Sequence, residues 1–227
     1  RDLHLSLRRQ RQMCIRDSIS HQLIEEFMLL ANEAVAKEIK RRRAKALHRI
    51  HEEPDDEKLD NLRAQAALAG LRAGNLADQK QAGRFLASLA GHPLEDVFRI
   101  GYLRCMKRAC YSTHAVGHYG LAKQDYVHFT SPIRRYADLI VHRVVYQNQK
   151  FDGAMLEEAA DRISLTERNS SDAEFDSKLI KLLSHLKRQL DSGQPETYKG
   201  MVTEVRNIGA MIDVVGLGIK GLVKRFS

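Results

Sequence analysis

From Ser18 or Ser20 onward, apolar residues return at steps of three and four: Leu23, Phe27, Leu30, Ala31, Ala34 and Val35. That period places them along one side of a helix, with Glu25 and Glu26 in its early turns, where the dipole favours acids. The helix runs into the basic stretch KEIKRRRAKALHR. A second helix is predicted after EEPDDEKL, where Pro54 and the acids suit a helix N-terminus. Further helical periods cover 76–90, 93–109, 132–149 and 153–190. His118–Ala122 and Tyr126–Phe129 read as short strands around a turn at Lys123–Asp125. The Gly, Ser and Pro of DSGQPET mark a linker. Beyond it, YKGMVTEVRNIGAMIDVVGLGIKGLV alternates and is rich in Val, Ile and Gly, as consecutive strands are. A mainly helical part followed by an all-β tail predicts an α+β chain.

Residues 1–18 break this pattern. They hold five arginines, two aspartates and no lysine, with no sustained period. We read them as a non-native leader and leave them out of the fold; without them the net charge falls from +8 to +5. The alternative is a genuine basic arm. The remaining surplus favours a polyanionic partner, because Lys and Arg neutralise phosphates and release counterions. A basic surface facing only water would show the same excess. No apolar run approaches a membrane span, and no secretory leader is visible. Cys14, Cys105 and Cys110 form no CxxC pair, which favours a reducing, cytoplasmic setting.

The densest polar cluster is HYGLAKQDYVHFTSPIRRYADLIVHR, residues 118–143. Ser131 reads as an N-cap and Pro132 as the first helical residue, followed by a buried stripe of Ile133, Ala137, Ile140, Val141 and Val144. Arg134 and Arg135 then fall in an opening turn that already repels cations, and an anion supplies the reason for two of them. His128, Thr130 and Ser131, just upstream, add hydrogen-bonding groups. The predicted ligand is a phosphate. The competing reading is a surface ion pair between Arg134 and Asp138, four residues on. It would leave Arg135, His128 and Thr130 without a role.

GHYGLA followed by YVHFTSPIRRYADLIVHR resembles the signature of the ribonuclease II/ribonuclease R catalytic domain. LIEEFMLLANEAVA, HRIHEEPDDEKL and the later TERNSSDAEFDSKLIKLL resemble other parts of that domain in the same order. The resemblance implies a partial catalytic domain over 19–192. Residues 196–227 resemble the opening strands of an S-one-type oligonucleotide-binding barrel, an incomplete OB-fold.

The activity that the resemblance implies is a 3′→5′ hydrolytic exoribonuclease releasing nucleoside 5′-monophosphates from single-stranded RNA. Its catalytic arginine falls on Arg134. Its later-helix glutamate falls on Glu174, although the family's Ala-Glu-Arg stands here as Ala173-Glu174-Phe175; a solvated carboxylate is the alternative. Tyr119, His128, Thr130, Ser131, Arg135, Tyr136, His142 and Arg143 are candidates to line the RNA channel, with Tyr136 and His142 equally readable as packing residues. Tyr198, Lys199 and Arg206 are the candidate contacts of the barrel. Glu25 or Glu26 of the first helix could approach the RNA strand or simply compensate the dipole.

Magnesium is the implied metal, held in this family by an aspartate cluster early in the domain. No such cluster is found in this sequence. The expectation is therefore a monomer that binds single-stranded RNA but does not hydrolyse it alone, with no role at a membrane. The alternative is a non-catalytic RNA-binding module of the same fold.

Overall fold

The computed structural model describes residues 19–193, 195–214 and 217–224, with side chains at all of these except Glu204 and Arg206. The proposed leader therefore lies outside the described residues. The chain divides into two compact units, one ending at Leu165 and the other beginning at Thr166.

The first unit opens with α1 (Ile19–Arg41), then β1 (His48–Ile50), α2 (Asp56–Leu68), α3 (Gln79–Ser88) and α4 (Glu95–Cys105). β2 (Cys110–Ser112), a single 3-10 turn (Tyr119–Leu121), α5 (Tyr136–Tyr146) and the start of α6 (Gly153–Asp191) follow. β1 and β2 pair antiparallel, with Arg49 opposite Tyr111. The pair escapes the helical reading because it is only three residues long on each side, too short to impose a visible alternation.

Helix boundaries follow local chemistry. Asp55 caps α2 by accepting from the Lys58 amide at 3.2 Å, and Asp78 caps α3 by accepting from the Gln81 amide at 2.8 Å. Each satisfies a backbone N–H that the first turn leaves without a partner.

α2, α3 and α4 share a core of Leu59, Leu62, Phe85, Leu86, Phe98 and Tyr102. The two faces of α5 bind the rest together. Val141 and Val144 pack with Ala36 and Ile39 of α1 and with Val127, while Ala137 and Ile140 pack with Leu47, Tyr111 and the first turns of α6. α1 buries its C-terminal half, through Asn32, Ala36 and Ile39. The apolar residues that announce the helix, Leu23, Phe27 and Leu30, are exposed.

The second unit holds the rest of α6 and a sheet ordered β3 (Gly200–Arg206), β4 (Gly209–Val214), β5 (Ile219–Lys224). All its pairs are antiparallel, with a bulge in β3 between Val202 and Glu204. Gly209 has φ of 148°, and a Cβ there would sit 2.1 Å from the Val223 carbonyl oxygen, so the β3–β4 turn needs glycine at this point.

The α+β class is observed, but three local expectations are not. The helix expected from Pro132 begins at Tyr136, with Arg135 in the N-cap position and no side-chain cap. His118–Ala122 forms a 3-10 turn flanked by the isolated bridges of His118 to His51 and Lys123. Tyr126–Phe129 is extended without a strand ladder, its carbonyl at Tyr126 accepting from Arg49 N at 3.0 Å.

Candidate nucleic-acid interface

The SPIRR segment is a turn placed before the helix, and its cause is one carboxylate. Asp138 is fully buried in the first turn of α5, and its Oδ2 accepts from the Ser131 amide at 2.7 Å and from Arg135 Nη2 at 2.9 Å. Reaching back seven residues, it draws Ser131 onto the helix end in place of an N-cap. The Ser131 carbonyl in turn accepts from the Arg134 and Arg135 amides at 3.3 and 3.2 Å. This overturns the N-cap assignment of Ser131 and the placing of Arg134 and Arg135 in the opening turn.

It also corrects the buried stripe. Ile133 at the crest of the turn is fully exposed, while Ala137, Ile140, Val141 and Val144 are buried as expected. The arginine paired with Asp138 is Arg135, not Arg134. Arg134 is exposed, and its guanidinium has no partner among the described residues.

Behind the turn lies a ladder of rings. His128 Nδ1 is 2.8 Å from the Tyr111 hydroxyl, and the two rings meet edge to face at 5.6 Å. Tyr126 follows at 5.9 Å from His128, and His118 at 5.5 Å from Tyr126. Arg49 of β1 stacks over Tyr111 at 4.7 Å, a cation–π contact. Burial, and then the positive charges of Arg135, Arg49, His118 and Arg134, push the His128 imidazole down to about 2, so it is neutral at physiological pH. The charges of Arg49, Arg134 and Arg135 are thus all felt by one uncharged ring, and positive charge of that kind is complementary to an anion with several oxygens.

α1 holds this face in place through Asn32. Its buried amide donates to the Tyr126 hydroxyl at 3.0 Å and accepts from the Phe129 amide at 3.0 Å. An ion pair of Lys40 with Asp125 at 2.8 Å, and another between Lys123 and Glu33, fasten the 123–125 turn to the same helix.

The other sequence-derived candidates fall into different surroundings. The Tyr119 hydroxyl is directed inward, 3.0 Å from that of Tyr102 and donating to the Ala77 carbonyl at 3.0 Å. His142 stacks on Phe129 at 4.2 Å, with Nε2 2.9 Å from the Phe129 carbonyl, as a packing histidine would. The Thr130 hydroxyl is buried without a hydrogen-bond partner among the described residues. Tyr136 and Arg143 are exposed on α5.

Glu174, on α6 in the second unit, is exposed and ion-paired with Lys178. In the same unit the Tyr198 hydroxyl lies 2.7 Å from Glu196 Oε2 and 3.1 Å from Gln189 Oε1, and Lys199 is exposed. Arg206 ends β3, its side chain outside the described positions. On α1, Glu26 is exposed and Glu25 is half-buried.

Sequence reasoning missed Arg49 and Tyr111, which meet only through the β1–β2 pair. Among the described residues, no three His, Cys, Asp or Glu side chains converge where a metal ion could be held. Asp55 and Asp56 serve the start of α2. The described residues therefore do not fit magnesium, and no step is assigned to it here.

A model of the RNB domain matches residues 3–150. The chain is 37% identical over 218 residues to ribonuclease R of Aquifex aeolicus, covering 91% of this chain and 30% of that protein. It is 33% identical over 223 residues to ribonuclease R of Escherichia coli, and spans 27% of it. Among solved structures it resembles Mycoplasma genitalium RNase R in complex with ribose methylated single-stranded RNA, with a TM-score of 0.78, 26% identity, and coverage of 92% of this chain and 34% of the other. The fold also resembles that of yeast Ssd1, a pseudonuclease, with a TM-score of 0.73 at 24% identity over 93% of this chain and 28% of that one.

Proposed function

The chain belongs to the RNB family, and from that premise we propose that it is part of a 3′→5′ hydrolytic exoribonuclease acting on single-stranded RNA and releasing nucleoside 5′-monophosphates. The observation that carries this reading is the exposed Arg134 on the turn that Asp138 fixes through Ser131 and Arg135, together with the contacts of Arg49 with Tyr111 and of Tyr111 with His128. Arg134, presented on the turn that Asp138 fixes, is the residue we assign to charge on the scissile phosphate; a positioned donor of that kind lowers the barrier where charge develops. Arg49 and Arg135 hold the neighbouring backbone, with His128, Thr130, Ser131, Tyr136 and Arg143 along the channel.

Glu174 is assigned to the same chemistry on family resemblance alone. The three-stranded sheet of the second unit supports the reading of an OB-type barrel, with Tyr198, Lys199 and Arg206 toward single-stranded RNA. Magnesium is the metal of the hydrolytic protein on family resemblance alone. The cysteine pattern of the sequence, without a CxxC pair, is the ground for placing the protein in a reducing, cytoplasmic setting.

A second reading, an RNA-binding module without hydrolysis, is favoured by the lack of any convergent set of metal ligands among the described residues. One experiment addresses both. A single-stranded oligoadenylate is titrated into the chain at several salt concentrations, and the products are then analysed after incubation with magnesium. We expect binding that weakens steeply with salt, at a log–log slope of about −0.7 per phosphate neutralised, and no mononucleotides from this chain alone. Binding that ignores salt would overturn the phosphate reading. Mononucleotide release that Arg134→Ala abolishes would show that the chain carries a complete site.

A further inference from the structure

The ring ladder does not end at His118. His51 continues it, its ring 5.2 Å from that of His118 and inclined at 63°. His51 lies just past β1, and every polar group it owns is engaged. Its amide donates to the Gly117 carbonyl at 3.0 Å, and its carbonyl accepts from the Tyr119 amide at 2.8 Å. Its ring is held at both nitrogens: Nδ1 accepts from the Gly120 amide at 2.9 Å, and Nε2 lies 2.6 Å from the Lys107 carbonyl. A backbone N–H can only donate and a carbonyl can only accept, so the ring must be neutral with its proton on Nε2. Gly120 is required for the fit, since a Cβ there would stand 2.7 Å from Nδ1.

We propose that His51 is a positioning residue for RNA binding, a clasp that seats residues 117–120 and so sets the register of the His118–Tyr126–His128 rings beneath the Arg49, Arg134 and Arg135 face. The proposal rests on the reading of that face as the RNA surface. Protonation opens the clasp: an imidazolium has no lone pair at Nδ1 for the Gly120 amide. The charged and titratable groups around the ring are His118 and Tyr119 from the clasped segment, Arg49 from β1, and the Glu52–Lys107 ion pair beside the Lys107 carbonyl. Burial, opposed by the bond to Lys107 and reinforced by Arg49, lowers the titration of His51 below the ordinary imidazole value. The clasp is therefore intact above about pH 6.5 and is lost as pH falls from there through the folded-state value.

The test pairs a local readout with a functional one on the whole chain. Nitrogen NMR of the imidazoles at pH 7.5 is expected to show His51 with its proton on Nε2. The Gly120 amide is expected to be protected from exchange and to lose that protection, after correction for intrinsic rates, across the His51 titration. A proton on Nδ1, or protection independent of that titration, overturns the clasp.

The functional arm compares oligoadenylate affinity in the wild type and in His51→Phe from pH 7.5 to 5 at one salt concentration. Charging of other histidines affects both proteins alike, so the gap between the curves isolates His51. We expect the variant to bind roughly tenfold more weakly at pH 7.5, the loss typical of one or two buried hydrogen bonds, with the curves converging as the wild type opens. A constant gap would mean a structural role only, and no gap would mean that the ladder does not reach the RNA face; either refutes the proposal. If neither protein binds RNA while the Gly120 and His51 signals behave as described, the RNA reading fails and the clasp stands. Should His51→Phe not fold, Gly120→Ala perturbs the same contact from the other side.

Discussion

Asp138 offers the most direct test of how this site is built. Its carboxylate has no solvent exposure and holds both the Ser131 amide and the Arg135 guanidinium. Asp138→Ala leaves both donors in the interior without an acceptor. Deleting one partner of a buried charge pair costs about 3–5 kcal/mol. The Arg135 side chain is 18% exposed, so water recovers part of its interaction, and a loss of about 2–4 kcal/mol is expected. Asp138→Asn keeps an acceptor for Ser131 while removing the charge, and should cost roughly half as much.

Because the chain divides into two compact units, the measurement must report on the first. Native-state hydrogen exchange of the α5 amides of Val141 and Val144 gives their opening free energy directly. The same variants should bind single-stranded RNA more weakly in proportion to the loosening of the turn that presents Arg134. An alanine variant that loses less than about 1 kcal/mol, or an asparagine variant as unstable as alanine, would refute the account of the SPIRR turn.

Other substitutions probe the supports of the same face. Asn32→Ala removes the amide that joins Tyr126 and Phe129 and should cost about 1–3 kcal/mol in denaturant unfolding, with Asn32→Asp no better because it buries a carboxylate charge at a position only 3% exposed. His128, held neutral with its titration near 2, contributes stability that is full above about pH 6.5 and lost as pH falls toward 2, with a slope of up to about 1.4 kcal/mol per pH unit. His128→Phe should flatten that part of the stability–pH curve, read from urea midpoints. In the hydrolytic protein, Arg134→Lys should lower single-turnover cleavage by roughly 10²–10³-fold with little change in affinity, because lysine cannot present two parallel donors. A near-normal rate would remove Arg134 from the catalytic assignment.

The sequence by itself determined the α+β class, the helices of residues 19–191 to within a few residues, the all-β tail, and the family. These rest on short-range rules: apolar period, acidic caps, and a run of residue types that resembles one family. The exposed apolar residues of α1 show the limit of those rules. Leu23, Phe27 and Leu30 declare a helix by their spacing, but which side of it is buried is decided by Ala36 and Ile39 meeting Val141 and Val144, a hundred residues away. Only the tertiary structure could decide where α5 begins. Ser131 and Pro132 have every local qualification to start a helix, yet Asp138 is buried, and a buried carboxylate takes the nearest donors whatever the local preference. Arg49 and Tyr111, or His51 and Gly120, are likewise neighbours only because two three-residue strands pair across 60 positions of chain. No period in the sequence encodes such a contact, since its energy appears only after the loop between the partners has closed.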